Sequence, residues 1–379
     1  MPRKQSPLKP ELKKRLPRPS ANKITILEVA QAARVSTATV SRVLNGNTSV
    51  EQSLCKRVTA AAGRLGYTPH AAARALASQR SRTIGAVMPT LENINFAVGV
   101  AALQRRIAEA GYTLLLGSSN YDLEEELRQV KALAGHGVAG MMLVGARHKA
   151  SLYEFLKAKN IPFVNTWVMD SRHPCVGFDN REIGRALADH LLNLGHVEFG
   201  VIAQITGHSD RAAGRVIGIR RALAARGVAL PQERLIECPH KITEGELALR
   251  ALMASSKRPT AVICGTDVLA FGALIEARRL GIAVPRDLSI AGINDAEFAA
   301  HLTPPLTTMR LPADEIGTRA AEYLLGCVDA RPKEAATQVQ VRLVVRASTA
   351  PPPEPFRMPH VRAKMEEAPA GGDSFGIKR

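Results

Sequence analysis

The sequence lacks the features that would place the chain in a membrane, outside the cell or among zinc proteins. No apolar run approaches the roughly 20 residues that a helix needs to cross a bilayer, and no hydrophobic stretch follows the basic N-terminus as in a secretory signal. The five cysteines are scattered without CxxC spacing, which favours reduced, buried thiols over disulfides or a zinc site. These absences predict a cytoplasmic protein with no membrane partner.

Motifs of familiar catalytic chemistry are also missing. The first predicted strand is not followed by GxGxxG, neither GxxxxGK[ST] nor HExxH occurs, and the histidines show no metal-ligand spacing. A nicotinamide-dependent dehydrogenase needs a phosphate cradle, which this chain does not have. We therefore predict a protein that is not an enzyme and needs no cofactor. A secreted sugar-binding protein is disfavoured, since it would need a signal peptide and would carry no basic N-terminal domain.

Positive charge is concentrated near the N-terminus. The net charge is +17; residues 1–23 hold eight Lys and Arg residues against one acid, and residues 24–80 hold seven against two. The first 80 residues thus carry +12 of the +17. Such a concentration predicts binding to the phosphate backbone of nucleic acid. Residues 1–23 alone are rich in Pro and Lys and are typical of a disordered basic arm.

Residues 24–67 predict a small helical domain. Thr25 followed by Glu28 forms a capping box for a first short helix, and Ser36 is the N-cap of a second helix after a tight turn. A third amphipathic helix is predicted for residues 51–65.

The second of these helices has two different faces. Its inward face carries Val40, Val43 and Leu44, whereas its outward face carries short groups and one arginine, at Thr37, Ala38, Ser41 and Arg42. A helix of this composition is suited to insertion into a DNA major groove. An ordinary helical hairpin in a protein core is the alternative.

Residues 68–81 form a candidate hinge. The segment YTPHAAARALAS has high helix propensity, but at about two turns it is too short to be stable alone in water. A segment poised between helix and coil is what a switchable hinge needs. The alternative is a linker helix with no role beyond connection.

From residue 82 to residue 349 the pattern changes to buried strands alternating with amphipathic helices, one of them predicted for Gly214–Arg226. This alternation predicts parallel sheets covered on both faces. Roughly ten strands favour two open sheets over one, with ligands at the carboxyl ends of the strands. Residues 350–379 contain Pro, Gly and charge without apolar periodicity, which predicts a disordered tail and no tetramerising coiled coil.

Several segments resemble the LacI (lactose-repressor) family of bacterial transcription regulators. They are ITILEVAQAARVSTATVSRVLNG, GRLGYTPHAAARALAS, RTIGAVMP, VGFDN, DRAAGRVIG and GTDVLAFGAL, and the resemblance runs from Ile24 to Ala347. It implies an N-terminal three-helix helix-turn-helix domain plus an α/β periplasmic-binding-protein-like core of two parallel-sheet subdomains. GSSNYDLEEE, NTW and INDAEFAAHLTPPLTTMRLP further resemble gluconate-operon repressors.

The resemblance implies roles in DNA binding for residues at matching positions. Arg42 lies where its fork can pair with guanine O6 and N7, and Leu76 lies where an apolar wedge enters a minor-groove step. The DNA-contacting positions are Thr25, Ser36, Thr37, Ala38, Thr39, Ser41, Arg42, Asn45, Ala73 and Leu76.

The resemblance also implies an effector site between the two subdomains. Its positions are Phe96, Trp167, Asp179, Asp210, Arg211, Arg215, Thr266, Asp267, Asn294 and Asp295. Phe96 and Trp167 could instead be core aromatics, and a buried Arg215 without a ligand would need its own carboxylate partner.

Two residues depart from the family pattern. Arg34 stands where the family usually has glycine in the turn between the first two helices. A left-handed backbone there would cost roughly 1 kcal/mol; the alternative is a slightly different turn. Thr266 stands where many members have asparagine before Asp267, which puts the usual sugar-hydroxyl contact in doubt.

From the sequence we predict a homodimeric, operator-binding transcription regulator that acts as a repressor and is controlled by a small sugar-acid effector such as gluconate or 6-phosphogluconate. A dimer follows because a palindromic operator needs two-fold symmetry. An anionic effector follows because Arg211 and Arg215 lie four residues apart at a helix start and project from one face. A cytoplasmic sugar-sensing module without a transcriptional role is the alternative.

Overall fold

The computed structural model describes residues 24–44, 50–67, 81–331 and 334–353. It divides the chain into two compact units, Met1–Arg80 and Ser81–Arg379. The predicted hinge, the basic arm and nearly all of the predicted tail lie outside the described residues, as do three predicted DNA contacts, Asn45, Ala73 and Leu76. Among the described residues, no helix is long and apolar enough to cross a membrane.

The first unit contains three helices: α1 (Ile26–Ala33), α2 (Thr37–Leu44) and α3 (Gln52–Leu65). They enclose a small apolar core of Val29, Ala30, Ala33, Val40, Val58, Ala61 and Ala62. This arrangement confirms the predicted three-helix domain.

The predicted caps determine where these helices begin. The Thr25 backbone N–H donates to Glu28 Oε2 at 2.6 Å, and Thr25 Oγ1 accepts from the Glu28 N–H at 3.4 Å, which completes the capping box. Ser36 Oγ accepts from the N–H of Thr39 at 3.1 Å. Arg34 adopts the left-handed conformation with φ 50° and ψ 50°, the first of the two alternatives that the sequence left open.

The second unit is an α/β structure. Its strands are β1 (Thr83–Met88), β2 (Thr113–Ser118), β3 (Gly140–Val144), β4 (Phe163–Thr166), β5 (Cys175–Gly177), β6 (Phe199–Gln204), β7 (Leu235–Cys238), β8 (Ala261–Cys264), β9 (Ser289–Asn294), β10 (Thr307–Arg310), β11 (Ala336–Gln338) and β12 (Arg342–Val344). Its helices are α4 (Ile94–Glu109), α5 (Leu123–Gly135), α6 (Ala150–Ala158), α7 (Asn180–Asn193), α8 (Asp210–Ala225), α9 (Ile242–Met253), α10 (Asp267–Arg279) and α11 (Ala313–Val328).

The strands form two sheets, as predicted, and each sheet has six strands, two more in total than the roughly ten expected. The sheet of the first subdomain has the order β11-β5-β4-β3-β1-β2, and that of the second has the order β12-β10-β9-β8-β6-β7. All pairs are parallel except β10 with β12, which is antiparallel. The prediction of parallel sheets fails only at this pair. Strand β11 runs parallel to β5 and therefore ends where the strands of the first sheet end. Residues 339–341 then bring the chain into the second sheet from the carboxyl ends of its strands, so β12 runs opposite to β10.

Helix α8 begins four residues before the predicted start at Gly214. Ser209 is its N-cap, and Ser209 Oγ accepts from the N–H of Ala212 at 3.3 Å. This earlier start places Arg211 within the first turn of the helix. The predicted boundary at Gly214 was late because Ser209 is followed by Asp210 and Arg211, which do not continue the apolar pattern. The placement of Arg211 at the start of a helix agrees with the structure.

Three helix pairs cross in backbone contact through glycines. A Cβ at Gly317 of α11 would overlap the carbonyl oxygen of Gly99 of α4, and a Cβ at Gly184 of α7 would overlap the carbonyl oxygen of Arg215 of α8. Gly272 makes the corresponding approach between α10 and α9. The α7–α8 crossing matters for function, because it holds the start of α7 against the helix that carries Arg215.

Candidate functional site

Helix α2 presents one exposed polar face. Thr37, Ala38 and Arg42 are exposed, and Ser41 is half-buried beside them. These four positions lie on one side of the helix, as residues spaced by four must. The structure therefore brings together the predicted recognition residues on a surface that a major groove can accept.

The other described DNA-binding candidates stabilise the helix ends. Thr25 and Ser36 are the caps described above, and Thr39 Oγ1 lies 2.9 Å from Ser36 Oγ. Thr25 and Ser36 are both exposed. Their positions at helix N-termini are where backbone N–H groups approach phosphates in DNA-binding proteins, so capping and a phosphate contact are compatible.

A small cavity of about 20 Å³ lies between the two subdomains, and we call it the inner compartment. Five of the predicted effector residues line it: Phe96, Trp167, Arg211, Arg215 and Asn294. The remaining lining residues are Asn93, Asn95, Tyr121, Gln204 and Leu311. Half of these residues lie at or just beyond the carboxyl ends of strands, and the others lie at the start of the following helix, the region where ligands of open α/β sheets bind.

The first subdomain contributes an aromatic wall to this compartment. The rings of Phe96 and Trp167 meet edge to face, with centroids 5.1 Å apart. Trp167 has a left-handed backbone with φ 59°. Two buried donors, Trp167 Nε1 and Asn95 Nδ2, have no hydrogen-bond partner among the described residues. Since buried donors are nearly always paired, these two indicate room for an acceptor from a ligand.

The second subdomain contributes a buried guanidinium. Arg215 Nε donates to Asn180 Oδ1 at 3.1 Å, and Arg215 Nη1 donates to the carbonyl oxygen of Gly265 at 2.9 Å. Asn180 Nδ2 in turn donates to the carbonyl oxygen of Trp167 at 3.0 Å. One amide side chain thus connects the arginine to the aromatic wall.

Arg215 has no carboxylate partner among the described ion pairs. Its relative exposure is only 7%. Burial, and then the nearby charge of Arg211, lower the pKa of Arg215 to about 10, so the guanidinium is still charged at neutral pH. An unneutralised buried cation is unfavourable, and an anionic ligand would supply the missing charge.

Asp210 joins the subdomains instead of lining the inner compartment. Asp210 Oδ1 accepts from Arg211 Nη1 at 2.9 Å, and Asp210 Oδ2 accepts from the N–H of Ala146 at 2.7 Å. Ala146 follows β3 in the first subdomain. The next residue, Arg147, donates to the carbonyl oxygen of Gly207. These bonds hold the two subdomains together across the cleft.

Four other predicted effector residues are engaged within the protein and lie outside the inner compartment. Asp267 accepts from Thr308 Oγ1 at 2.6 Å and from the N–H of Ala296 at 2.8 Å, and burial raises the pKa of Asp267 to about 6. Asp295 accepts from Arg310 and from Arg346.

Thr266 and Asp179 complete this group as N-caps. Thr266 Oγ1 accepts from the N–H of Leu269 at 3.4 Å, and Asp179 accepts from the N–H of Arg181 at 2.8 Å. Thr266 also meets His240, whose Nδ1 lies 3.1 Å from its hydroxyl oxygen.

A larger cavity of about 220 Å³ adjoins the inner compartment, and we call it the outer compartment. The two compartments share Tyr121 and Gln204. Sequence reasoning missed its other residues: Pro89, Thr90, Glu92, Asn120, Ile205, His208, Ser209, Cys238, Pro239, His240 and Lys241. The strand-end rule could have found several of them, because residues 239–241 directly follow β7 and residues 120–121 lie just beyond β2.

Comparison with known proteins identifies the family. Residues 25–70 match the family described as bacterial regulatory proteins, lacI family, and residues 188–349 match the periplasmic binding protein-like domain. The HTH-type transcriptional repressor PurR of Escherichia coli O1:K1 / APEC is 32% identical over 339 residues, which cover 87% of this chain and 98% of PurR. The chain belongs to the LacI family. It is a DNA-binding transcriptional regulator.

Solved structures of LacI-family proteins share the fold. The transcription regulator GntR from Chromobacterium violaceum aligns with a TM-score of 0.67 and 32% identity. The aligned region covers 70% of this chain and 99% of the GntR chain. The Lac repressor dimer bound to operator and the anti-inducer ONPF aligns with a TM-score of 0.77 and 25% identity. The aligned region covers 86% of this chain and 99% of the Lac repressor chain. The alignment with the Lac repressor thus covers more of this chain than the alignment with GntR does.

Proposed function

We propose that this LacI-family protein is a homodimeric repressor whose operator binding is controlled by a small sugar acid in the cleft. The observation that carries the effector class is the buried Arg215 guanidinium without a carboxylate partner among the described residues. A carboxylate of the effector would supply that partner through charge-assisted hydrogen bonds.

The two compartments fit different parts of a sugar acid, the inner one its acid group and the outer one its hydroxylated chain. A cavity of about 20 Å³ has room for about one water-sized group, which suits one acid group of the ligand. Trp167 Nε1 and Asn95 Nδ2 supply further donors for its oxygens. The outer compartment, at about 220 Å³, holds the hydroxylated chain.

Control of DNA binding would follow from cleft closure. Asp210 bonds to Ala146, and Asn180 bonds to Trp167, so the cleft residues of one subdomain already hold the other. A ligand placed between Arg215 and the aromatic wall would stabilise this closed arrangement by its differential affinity for it. Operator affinity would then change because closure changes the spacing of the two DNA-binding domains of a dimer.

Two titrations test this proposal. Calorimetry of the full chain with gluconate, 6-phosphogluconate and glucose should show binding of the acids and not of the neutral sugar. Fluorescence anisotropy with DNA from the gene's own upstream region should show specific binding that the bound acid alters. Arg42→Ala should lose roughly 1–3 kcal/mol of discrimination between operator and unrelated DNA.

The outcomes separate the candidates. Specific DNA binding with an exclusively neutral ligand would contradict the sugar-acid assignment. Ligand binding without any effect on DNA would favour the sugar-sensing module that has no transcriptional role. Equal operator selectivity in wild type and Arg42→Ala would remove Arg42 from base recognition.

A further inference from the structure

The outer compartment has a charge distribution of its own. Lys241, His208 and His240 line it, and Glu92 is the only acidic residue among its lining residues. Glu92 and Lys241 are exposed, whereas His240 is half-buried. The compartment therefore offers one permanent cation and two imidazoles to a ligand whose acid end lies at Arg215.

The backbone of this compartment also departs from ordinary geometry. Asn120 and Tyr121 are consecutive left-handed residues, with φ 51° and 63°. Asn tolerates this conformation, but Tyr does so rarely. Strained residues of this kind cluster at ligand sites. Tyr121 is thus held between the two compartments, where it can contact a ligand that extends through both.

His240 is oriented by the residue that departs from the family pattern. Thr266 Oγ1 already accepts from the N–H of Leu269, so its proton is available to His240 Nδ1 at 3.1 Å. In that arrangement the neutral imidazole carries its own proton on Nε2 and is a donor there. Thr266 would therefore act on the ligand indirectly, by orienting the ring of His240.

We propose that the outer compartment is a subsite for a second anionic group, so that the effector is a dianion: a sugar acid with a phosphate or a second carboxylate at its far end. The inference rests on the proposed function, because it places the first carboxylate at Arg215. His240 and Lys241 would donate to the second group.

Proton uptake on binding provides an independent readout. Burial, and then the charge of Arg215, lower the pKa of His240, whereas Glu92 raises it. His208 and Lys241 line the same space. An anion bound between these groups would raise the pKa of His240, so binding at pH 7 should take up protons. A residue that only shapes the cavity would not produce this effect.

The experiment compares four ligands by calorimetry with the full chain. Gluconate carries one carboxylate, glucarate carries two, 6-phosphogluconate carries a carboxylate and a phosphate, and glucose 6-phosphate carries only the phosphate. Glucarate and 6-phosphogluconate each carry two anionic groups, and we call them two-headed acids. At least one of them should bind about 10-fold or more tightly than gluconate. Repeating the titration in buffers of different ionisation enthalpy should reveal proton uptake for that ligand.

Variants assign the effect to the subsite. His240→Gln and Lys241→Gln should weaken binding of the two-headed acid more than binding of gluconate, and His240→Gln should remove the proton uptake. Lys159→Gln, an exposed lysine of the first subdomain, is the charge-matched control. Preference for 6-phosphogluconate over glucarate would identify the second group as a phosphate, and the reverse preference would identify it as a carboxylate.

The inference and the proposed function fail in different ways. If gluconate binds as tightly as both two-headed acids, or if the variants weaken all acids equally, the second subsite does not exist, although the sugar-acid effector stands. If no acid binds at all, both are overturned.

Discussion

The two subdomains of the α/β unit share a plan but bring different chemistry to the cleft between them. The strand order β5-β4-β3-β1-β2 of the first recurs in the second as β10-β9-β8-β6-β7. In the cleft, however, the first subdomain places aromatic residues, Phe96, Tyr121 and Trp167, whereas the second places cations, with Arg215 and Lys241 among them. The fold fixes where the cleft lies, and the residues after each strand determine what it binds.

This division has an energetic consequence. A guanidinium interacts more strongly with an anion where the surroundings exclude water, because the effective dielectric constant is lower. The first subdomain supplies that low-dielectric wall with Trp167 and Phe96, and Asn180 connects the wall to Arg215. Charge from one subdomain thus becomes fully effective only when the other covers it, which couples ligand affinity to closure.

The first prediction concerns the close helix crossing through glycine that occurs in each subdomain. Gly317→Ala should lower the free energy of unfolding by about 3 kcal/mol or more, because its Cβ would overlap the backbone oxygen of Gly99 and neither backbone can move without shifting a helix. Chemical denaturation followed by the fluorescence of Trp167, the single tryptophan, reports on this subdomain.

Gly135→Ala is the matched control for that variant. An added Cβ there meets no atom within 4 Å, so the substitution should be neutral or stabilise the protein by up to about 1 kcal/mol. A loss below 1 kcal/mol for Gly317→Ala would show that the α4–α11 crossing relaxes easily.

The second prediction concerns a buried histidine of the second subdomain. His196 Nδ1 meets Thr260 Oγ1 at 2.9 Å, and His196 Nε2 meets the carbonyl oxygen of Ala350 at 2.9 Å. Burial lowers the pKa of His196 to about 4 from an ordinary value of 6.5. The folded pKa is the lower one, so the stability present above pH 6.5 is lost as the pH falls towards 4. The loss should reach about 3 kcal/mol.

Thermal unfolding between pH 7 and pH 4 measures this loss. His196→Gln keeps an acceptor and a donor but cannot titrate, so its melting temperature should depend less on pH. Parallel profiles for wild type and His196→Gln would assign the acid sensitivity to other groups.

How far the sequence predicts each region depends on how local its interactions are. The caps at Thr25 and Ser36 join residues within a few positions of one another, and both were predicted correctly. For Arg34 the sequence left two conformations open, and the structure has the left-handed one. The residues of the inner compartment were named through family resemblance, and Trp167 and Arg215 do line one cavity although they come from different subdomains. Their role in effector binding stays a prediction.

The rest of the cleft could not be read from local patterns. Asp267 and Asp295 bond to Thr308 and Arg346, which lie 41 and 51 residues further along the chain, and no spacing rule reveals that their carboxylates are already engaged. His240 belongs to no sequence motif. It lines the outer compartment only because strand ends of both subdomains come together there.

The third prediction separates charge from packing in the second subdomain. Arg215→Met should weaken sugar-acid binding by roughly 1.5–3 kcal/mol, the range for a hydrogen bond to a charged group. The same variant should leave the free energy of unfolding unchanged or raise it, since it removes a buried cation that has no carboxylate partner among the described residues. Calorimetry and denaturation measure the two quantities.

Arg215→Lys is the control for that pair of measurements. It keeps the charge but not the fork that reaches both Asn180 and Gly265, so it should bind acids with intermediate affinity. A large loss of stability in Arg215→Met would mean that the arginine is primarily a structural link between α8 and its neighbours.

The fourth and smallest effect tests the aromatic side of the comparison. Trp167→Phe keeps an aromatic ring opposite Phe96 but removes the unpaired Nε1 donor, so it should weaken sugar-acid binding by roughly 0.5–1.5 kcal/mol. Phe96→Leu trims the same wall without removing a donor and should cost less affinity. If both variants weaken binding equally, the two rings serve only as apolar cover and Nε1 does not meet the ligand; if Trp167→Phe costs more, the first subdomain contributes a hydrogen bond as well as a wall.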